Sequence, residues 1–261
     1  MPFTVSHIAA VLPLRRTRHG QRLPITALII GSMAPDFGFL IPGLDRSLSH
    51  SFSGLFAFSL PMGWLVCLLW RYVLQAPLLA LLSRPLERRL YCVLGEEAPR
   101  SFLVTSAALL IGAASHVVWD AFTHFNGFGA QWIPLLTRPV ATWSGFTLPW
   151  CDLFQHLSSL LGLLYVGAYA CRWHTRSGPQ EARDSLRRTL WGLALVCAPL
   201  AAGYAALLAC LPPASIQAAA AWAAGLMLKT SALGILIYAA CWHVQHFRRH
   251  SGGLRGAPRR V

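Results

Sequence analysis

The sequence predicts an all-α membrane protein, a polytopic helical bundle that crosses a bilayer several times. Of its 261 residues, 55% are apolar and only 12% are charged, against roughly a quarter charged in an ordinary soluble domain. The mean hydropathy is +0.50, and the apolar residues gather in runs of the ~20 residues that a membrane-crossing helix needs. This composition argues against a soluble domain and excludes a disordered chain.

The predicted elements follow the apolar runs along the chain. Two short runs come first, 3–14 and 24–41, and the second is interrupted at Pro35-Asp36, so we expect a short N-terminal broken or re-entrant helical pair. Five later runs are long enough to be full transmembrane helices: 52–72, 102–122, 156–173, 190–211 and 216–242. Residues 1–247 are therefore predicted to form a single integral-membrane domain, and 248–261 a basic cytoplasmic tail.

The arginines predict the orientation of these helices. Nearly all basic residues lie in alternate connecting segments, and short loops rich in Arg stay on the cytoplasmic side; the segments are 15–22, 71–100, 172–188 and 248–260. With six crossings, counting the interrupted one, both termini of this cell-membrane protein are expected to be cytoplasmic. This topology and anionic lipid headgroups account for the net charge of +13, so the lipid bilayer is an expected partner and nucleic acid is not.

One predicted helix carries the sharpest chemical pattern. His116, Asp120 and His124 recur every four residues, which on an α-helix places them in one stripe that climbs about 12 Å. Imidazole and carboxylate are the usual ligands of zinc and similar divalent ions. The pattern is equally typical of a hydrogen-bond network that only ties helices together, and the spacing leaves both interpretations open.

Other titratable residues fall at the same predicted outer side or inside an apolar run. Asp36 lies at the interruption of the second run, His50 precedes the first full span, and His156 begins the 156–173 run. A re-entrant hairpin would bring His7 to about the depth of Asp36. Lys229 lies near the middle of the last run, where a charge is a functional candidate or a residue that pairs or reaches the interface with its long side chain.

Several segments together resemble a known family. They are the opening MPFTVSH, GSMAPD at 31–36, SHS at 49–51, the 116–124 motif and QHLSS at 155–159. Over nearly the whole chain they resemble an uncharacterised bacterial integral-membrane family, a domain of unknown function. More distantly they are similar to the membrane-bound metal-dependent hydrolases and to the soluble zinc-dependent phospholipase C and S1/P1 nuclease group.

This resemblance implies a set of metal ligands: His7, Asp36, His50, His116, Asp120 and His124. Two departures reduce the number of metal ions it implies. The soluble enzymes use a processed N-terminal amine as a ligand, whereas this chain begins Met1-Pro2, and they carry a glutamate where Leu160 follows His156 by four residues. We therefore expect one or two divalent ions, with zinc preferred, instead of three.

The expected function is a metal-dependent hydrolase that cleaves a phosphoester in a lipid or lipid-linked substrate with metal-activated water. Asp120 is the candidate bridging carboxylate or outer hydrogen-bond partner, and Asp36 the candidate general base or further ligand. His156 is expected to contact substrate or metal, and Lys229 to neutralise substrate phosphate. Two alternatives use the same side chains: a transporter or channel for protons or metal ions, and a membrane component without catalytic activity.

Overall fold

The computed structural model describes residues 4–82, 87, 90, 101–143, 146–175, 229 and 232–248. Two compact units divide the chain, Met1–Cys67 with Glu96–Arg176 and Leu68–Gly95 with Ser177–Val261. The described residues are mostly helical, and three helices are long and apolar enough to cross a membrane: Phe52–Ala80, Phe102–Thr123 and Trp150–Arg172. Of the five predicted spans these are the first three. The 190–211 run lies outside the described residues, and only part of the 216–242 run lies within them. The single domain over 1–247 stays a prediction.

The N-terminal pair consists of short helices. A 3-10 turn over Thr4–His7 leads into α1 (Ile8–Val11), and after two further 3-10 turns, Leu12–Arg16 and Gly20–Arg22, the chain enters α2 (Ile25–Met33). Helix α2 continues as a 3-10 helix over Ala34–Leu40. The change of helix type occurs at the predicted interruption, because Pro35 lacks the N–H that an α-helix needs there. Asp36 consequently lies on the 3-10 helix and is 4% exposed.

The next elements lead into the membrane-spanning helices. Helix α3 (Arg46–Ser49) is capped by Asp45, whose carboxylate accepts from the backbone N–H of Ser47. Helix α4 (Phe52–Ala80) runs beyond the predicted end at residue 72. It contains two π-helical turns, Leu55–Ser59 and Trp70–Leu74. Each turn precedes a proline in the chain, which cannot donate the regular helical hydrogen bond.

Within the second unit, a histidine contacts a backbone carbonyl near the second of these prolines, Pro77. The carbonyl oxygen of Val73 lies 2.9 Å from Nε2 of His243. His243 belongs to a helix over 232–248, which contributes the Tyr238 hydroxyl to the carbonyl of Pro77 at 3.3 Å.

The core of the first unit is the contact between α2 and α5 (Phe102–Thr123). A Cβ on Gly31 would lie 2.3 Å from the carbonyl oxygen of Leu109, and a Cβ on Gly112 would lie 2.5 Å from that of Leu28. Glycine at these two positions therefore lets the backbones approach closely, as small residues do between membrane helices. This contact fixes the 3-10 helix that carries Asp36 against the C-terminal half of α5.

A compact connection joins α5 to the last described helix of the first unit. It contains α6 (Phe128–Trp132), α7 (Pro134–Thr137) and an antiparallel hairpin of β1 (Pro139–Trp143) and β2 (Phe146–Pro149), before α8 (Trp150–Thr175). The hairpin pairs Thr142 with Thr147. The all-α prediction overlooked it because it is short, although β-branched and aromatic residues between two prolines favour extended backbone. Helix α8 also begins at Trp150, before the predicted start at His156.

Candidate metal centre

Four side chains converge at one end of the α2–α5 contact. They form the His–Asp cluster: Asp36, His50, His116 and Asp120. One ligand atom from each lies within 4.8 Å of all the others. His50 Nε2 is 3.3 Å from Asp36 Oδ1 and 3.4 Å from Asp120 Oδ2, and His116 Nε2 is 3.5 Å and 3.4 Å from the same two atoms. The 3-10 helix, the residue after α3 and the last turns of α5 thus supply one site.

The protonation of His116 follows from its contacts. Its Nδ1 lies 2.7 Å from the backbone carbonyl oxygen of Ser32, and a carbonyl only accepts hydrogen bonds, so Nδ1 carries the hydrogen. Nε2 then faces the carboxylates of Asp36 and Asp120. The side chain is fully buried, and Nε2 has no hydrogen-bond partner.

His50 is oriented through a serine. The hydroxyl oxygen of Ser49 lies 2.9 Å from Nδ1 of His50 and 3.2 Å from the carbonyl oxygen of Arg46. Nε2 of His50 is buried and also lacks a hydrogen-bond partner. Both histidines are therefore fixed through Nδ1 and direct Nε2 inward, which is how metal-binding histidines are oriented.

The His–Asp cluster fits a cation. Two carboxylates face each other with two imidazole Nε2 atoms in a buried place, an arrangement that is unfavourable unless positive charge lies among them. Asp36 is 4% exposed and Asp120 6% exposed. The cluster could therefore hold a metal ion, and its donors are the nitrogen and oxygen atoms that divalent transition metals prefer.

His7 covers the buried side of the His–Asp cluster. Its ring stacks on that of His116 with 3.7 Å between centroids, and its Nε2 lies 3.5 Å from Asp120 Oδ1. Burial lowers the pKa of His7 to about 3, so the ring is neutral at pH 7. Beside it, the hydroxyl of Thr4 donates to Asp36 Oδ2 at 2.6 Å, which leaves Oδ1 of that carboxylate for the cluster.

Arg46 and His124 flank the open side. The Arg46 guanidinium donates from Nη2 to Asp120 Oδ2 at 2.5 Å, and the same nitrogen lies 3.3 Å from His124 Nε2. Gln155 on α8 approaches His124 Nε2 at 2.9 Å through its side-chain nitrogen. His124 Nε2 therefore accepts, and Nδ1 carries the hydrogen, 3.2 Å from the backbone carbonyl of Asp120. Burial lowers the pKa of His124, consistent with this neutral ring.

A pocket opens onto these groups. Its volume is about 450 Å³, within the range of small-ligand sites, ~300–1,000 Å³. Its lining includes the polar residues Arg46, Asp120 and His124 and the apolar residues Val117 and Phe128. The pocket therefore suits a ligand with an anionic part and an apolar part.

The structure brings five of the sequence-predicted residues together and places the others differently. His7, Asp36, His50, His116 and Asp120 share the site, and His124 lies beside it with both ring nitrogens engaged by protein atoms. His156 is exposed on α8, one position along from Gln155, and Lys229 is exposed in the second unit.

Sequence reasoning missed the residues that support the site. They are Thr4, Ser32, Arg46, Ser49 and Gln155. Arg46 alone had a signal in the sequence, because it is the only basic residue in the predicted outer segment 42–51. A single arginine between Asp45 and His50 is stronger evidence of a functional role than the arginines that are grouped in the basic loops.

Comparison with known proteins identifies the family without an activity. A family model described as "Domain of unknown function (DUF4184)" matches residues 1–241, so the chain belongs to that family. No curated protein and no solved structure matches the chain.

Proposed function

We propose that this member of a family of unknown function is a zinc-dependent hydrolase that cleaves a phosphoester in a lipid or lipid-linked substrate. The observation that carries the proposal is the inward aim of two buried histidine Nε2 atoms at the same two carboxylates. Neither Nε2 atom has a hydrogen-bond partner among the described residues, whereas a purely structural network would satisfy its buried polar atoms.

The spacing of the His–Asp cluster supports zinc. Zinc lies about 2.0–2.2 Å from nitrogen and oxygen ligands in a tetrahedral site. The edge of such a tetrahedron is about 1.6 times that length, so neighbouring ligand atoms should be ~3.3–3.6 Å apart. The four nitrogen–oxygen distances are 3.3, 3.4, 3.5 and 3.4 Å. The four side chains fill a tetrahedral site, so a zinc ion bound there would activate water near neutral pH only if the water were a fifth ligand or replaced one of the side chains.

Arg46 supplies the second reason for a phosphoester. Its side chain is 35% exposed and lines the pocket, and the contacts described above use only Nη2. The rest of the guanidinium fork can bind two oxygens of a phosphate, the geometry for which arginine is well suited. His124 contacts Arg46, and Gln155 contacts His124. A bound anion would therefore meet a guanidinium group that is already held in position by the protein.

The membrane arrangement that accompanies this proposal has five full spans, one interrupted N-terminal crossing and both termini in the cytoplasm. The arginine distribution supports it, since the basic segments alternate with segments nearly free of bases. In this arrangement the His–Asp cluster lies toward the outer side, at the end of α5 that carries Asp120.

Activity assays on the purified protein in nanodiscs test the proposal. We expect zinc-dependent release of phosphate or a phosphorylated headgroup from a panel of phospholipids and a polyprenyl phosphate ester. Asp120→Asn should abolish it, and Arg46→Lys should raise KM about tenfold because lysine cannot form the bidentate contact. His19→Ala is the matched control, since His19 is an exposed loop histidine in the same unit.

The alternative of a metal transporter makes a different prediction in the same preparation. Reconstituted in vesicles, a transporter moves zinc across the bilayer and hydrolyses none of the substrates. Zinc flux that is lost in Asp120→Asn, without any hydrolysis by the wild type, would overturn the hydrolase proposal.

A further inference from the structure

The connection after α5 exposes an apolar surface, which is unfavourable in contact with water. Within 125–137 there is no charged residue, and large apolar side chains are exposed: Phe125 49%, Phe128 50%, Trp132 78%, Ile133 45% and Leu135 57%. Such a patch on a soluble loop marks an interaction site. Here it belongs to two short helices, α6 and α7, that are themselves firmly docked.

The docking of this connection is one-sided. Ala130, Leu136 and Cys151 are buried together, with Trp150 packed against them, so the inner face rests on the start of α8. The outer face carries the exposed side chains, and Phe128 contacts Trp132 with 5.7 Å between ring centroids. The segment therefore has a buried inner face and an exposed apolar outer face. None of the described residues covers that outer face.

Polar groups in the same segment are satisfied locally. The side-chain amide of Gln131 donates to the carbonyl of Phe125 at 2.6 Å, and the hydroxyl of Thr137 donates to that of Pro134 at 3.1 Å. Backbone N–H groups of Ile133 and Leu136 also bond within the segment. Such internal pairing is required where water is scarce, as it is at the edge of the hydrocarbon.

We propose that residues 125–137 lie in the headgroup–acyl boundary of the membrane and form the lipid-facing entrance of the pocket. The segment is the first part of the connection between Thr123 and Trp150, the ends of two helices long enough to cross the bilayer, so its exposed apolar residues begin where the first of these helices ends. Aromatic residues are enriched at this depth. Phe128 belongs both to the segment and to the apolar lining of the pocket, so a membrane-held ligand reaches the pocket without leaving the bilayer.

This entrance indicates which substrate class the proposed hydrolase would accept. This part of the inference rests on the proposed function. An amphipathic phosphoester would keep its chains in the bilayer beside Phe128 while its phosphate reaches Arg46. A substrate free in water would gain nothing from the apolar lining or from the exposed Trp132.

Fluorescence quenching in nanodiscs tests the membrane position without any assay of activity. The fluorescent residue acridonylalanine replaces Trp132 or Leu135 in the full chain, with Val118 on α5 as the lipid-facing control and Gln21, in the arginine-rich loop, as the water-facing control. Lipids brominated near the glycerol end of the acyl chain should quench the label at positions 132 and 135, and aqueous iodide should quench it weakly. Iodide quenching as strong as that at position 21, or protection from both quenchers, would overturn the proposal.

A kinetic comparison then tests the entrance. We expect Trp132→Ser to raise KM about 5- to 10-fold for a long-chain phospholipid and to leave KM for a short-chain, water-soluble phosphodiester unchanged. Equal effects on both substrates would contradict entry from the bilayer. If the wild type hydrolyses neither substrate, the proposed function fails while the quenching result still decides the membrane position.

Discussion

At the scale of single residues, the site depends on which atom of each side chain is left for the cation. Ser32 and Ser49 fix the Nδ1 atoms of His116 and His50, and Thr4 occupies one oxygen of Asp36. These three contacts decide that the remaining nitrogen and oxygen atoms point inward. The chemistry of the His–Asp cluster therefore depends on residues that are not themselves ligands.

Replacement of Thr4 tests this dependence. Thr4→Val keeps the shape of the side chain and removes the hydroxyl that donates to Asp36 Oδ2, so the carboxylate loses its orientation. We expect zinc affinity to fall about tenfold, at the lower end of the effect of outer hydrogen-bond partners. Competition with a chelator of known affinity measures it.

Thr4→Ser is the matched control, because serine keeps the hydroxyl and loses only a methyl group. Its zinc affinity should stay close to that of the wild type. A loss as large as that of Thr4→Val would show that packing at position 4, and not the hydrogen bond, supports the site.

Much of the residue pattern was accessible from the sequence alone. His116 and Asp120 share a helical face by spacing, and Asp36 stands out because acids are scarce inside apolar runs. Gln155 and Thr4 were not accessible, because their partners are 31 and 32 residues away in the chain. For the same reason the sequence predicts a site role for His156 instead of its neighbour Gln155. Tertiary packing determines which side of α8 faces the site.

At the scale of helices, the close contact of α2 and α5 determines the geometry of the His–Asp cluster. Ser32 and Asp36 come from the α2 side and His116 and Asp120 from α5. Gly112 lies one turn before His116, where the α2 backbone touches α5. A change in the separation of these two helices would therefore change every distance across the cluster.

Gly112→Ala tests the role of this contact. The added Cβ would lie 2.5 Å from the carbonyl oxygen of Leu28, so the helices must separate. We expect a loss of about 1–3 kcal/mol in stability, typical of overpacking, and weaker zinc binding. Thermal unfolding in detergent and the same chelator competition measure the two effects.

Gly167→Ala is the control for the intrinsic effect of alanine in a helix. Gly167 lies in α8 with open space around its Cβ position, so this variant should be neutral or slightly stabilising. Unchanged stability and zinc binding in Gly112→Ala would show that α2 and α5 are not held by close backbone contact.

The sequence predicted the helices better than the connections between them. Long apolar runs determine the helices at 52–80 and 102–123 because burial of a whole run in lipid outweighs local preferences. The hairpin at 139–149 and the docking of Leu136 beside Cys151 depend on contacts with α8. Patterns of apolar residues carry no such information.

At the scale of the whole molecule, a bound ion would join three parts of the first unit. The 3-10 helix after α2, the end of α3 and the C-terminal half of α5 each supply ligands to the His–Asp cluster. Arg46 pairs with Asp120, whereas Asp36 faces the imidazoles of His50 and His116. Metal binding and folding stability should therefore be coupled.

Chelation of the purified protein tests this coupling. If zinc is present at 100 times its Kd, its removal costs about 2.7 kcal/mol, which corresponds to a fall of about 5–10 °C in Tm for a chain of this size. Added zinc should restore the original Tm. A chelator that leaves Tm unchanged in the wild type, as it should in Asp120→Asn, would show that the cluster contributes to folding without metal.

The central claim is that the His–Asp cluster binds one zinc ion. The most direct measurement is the molar ratio of zinc to protein in the wild type, in Asp120→Asn and in the control His19→Ala. Inductively coupled plasma mass spectrometry gives this ratio. We expect one zinc ion per chain in the wild type and in His19→Ala, and almost none in Asp120→Asn. A folded wild-type protein without stoichiometric metal, or an Asp120→Asn variant that retains it, would contradict the account.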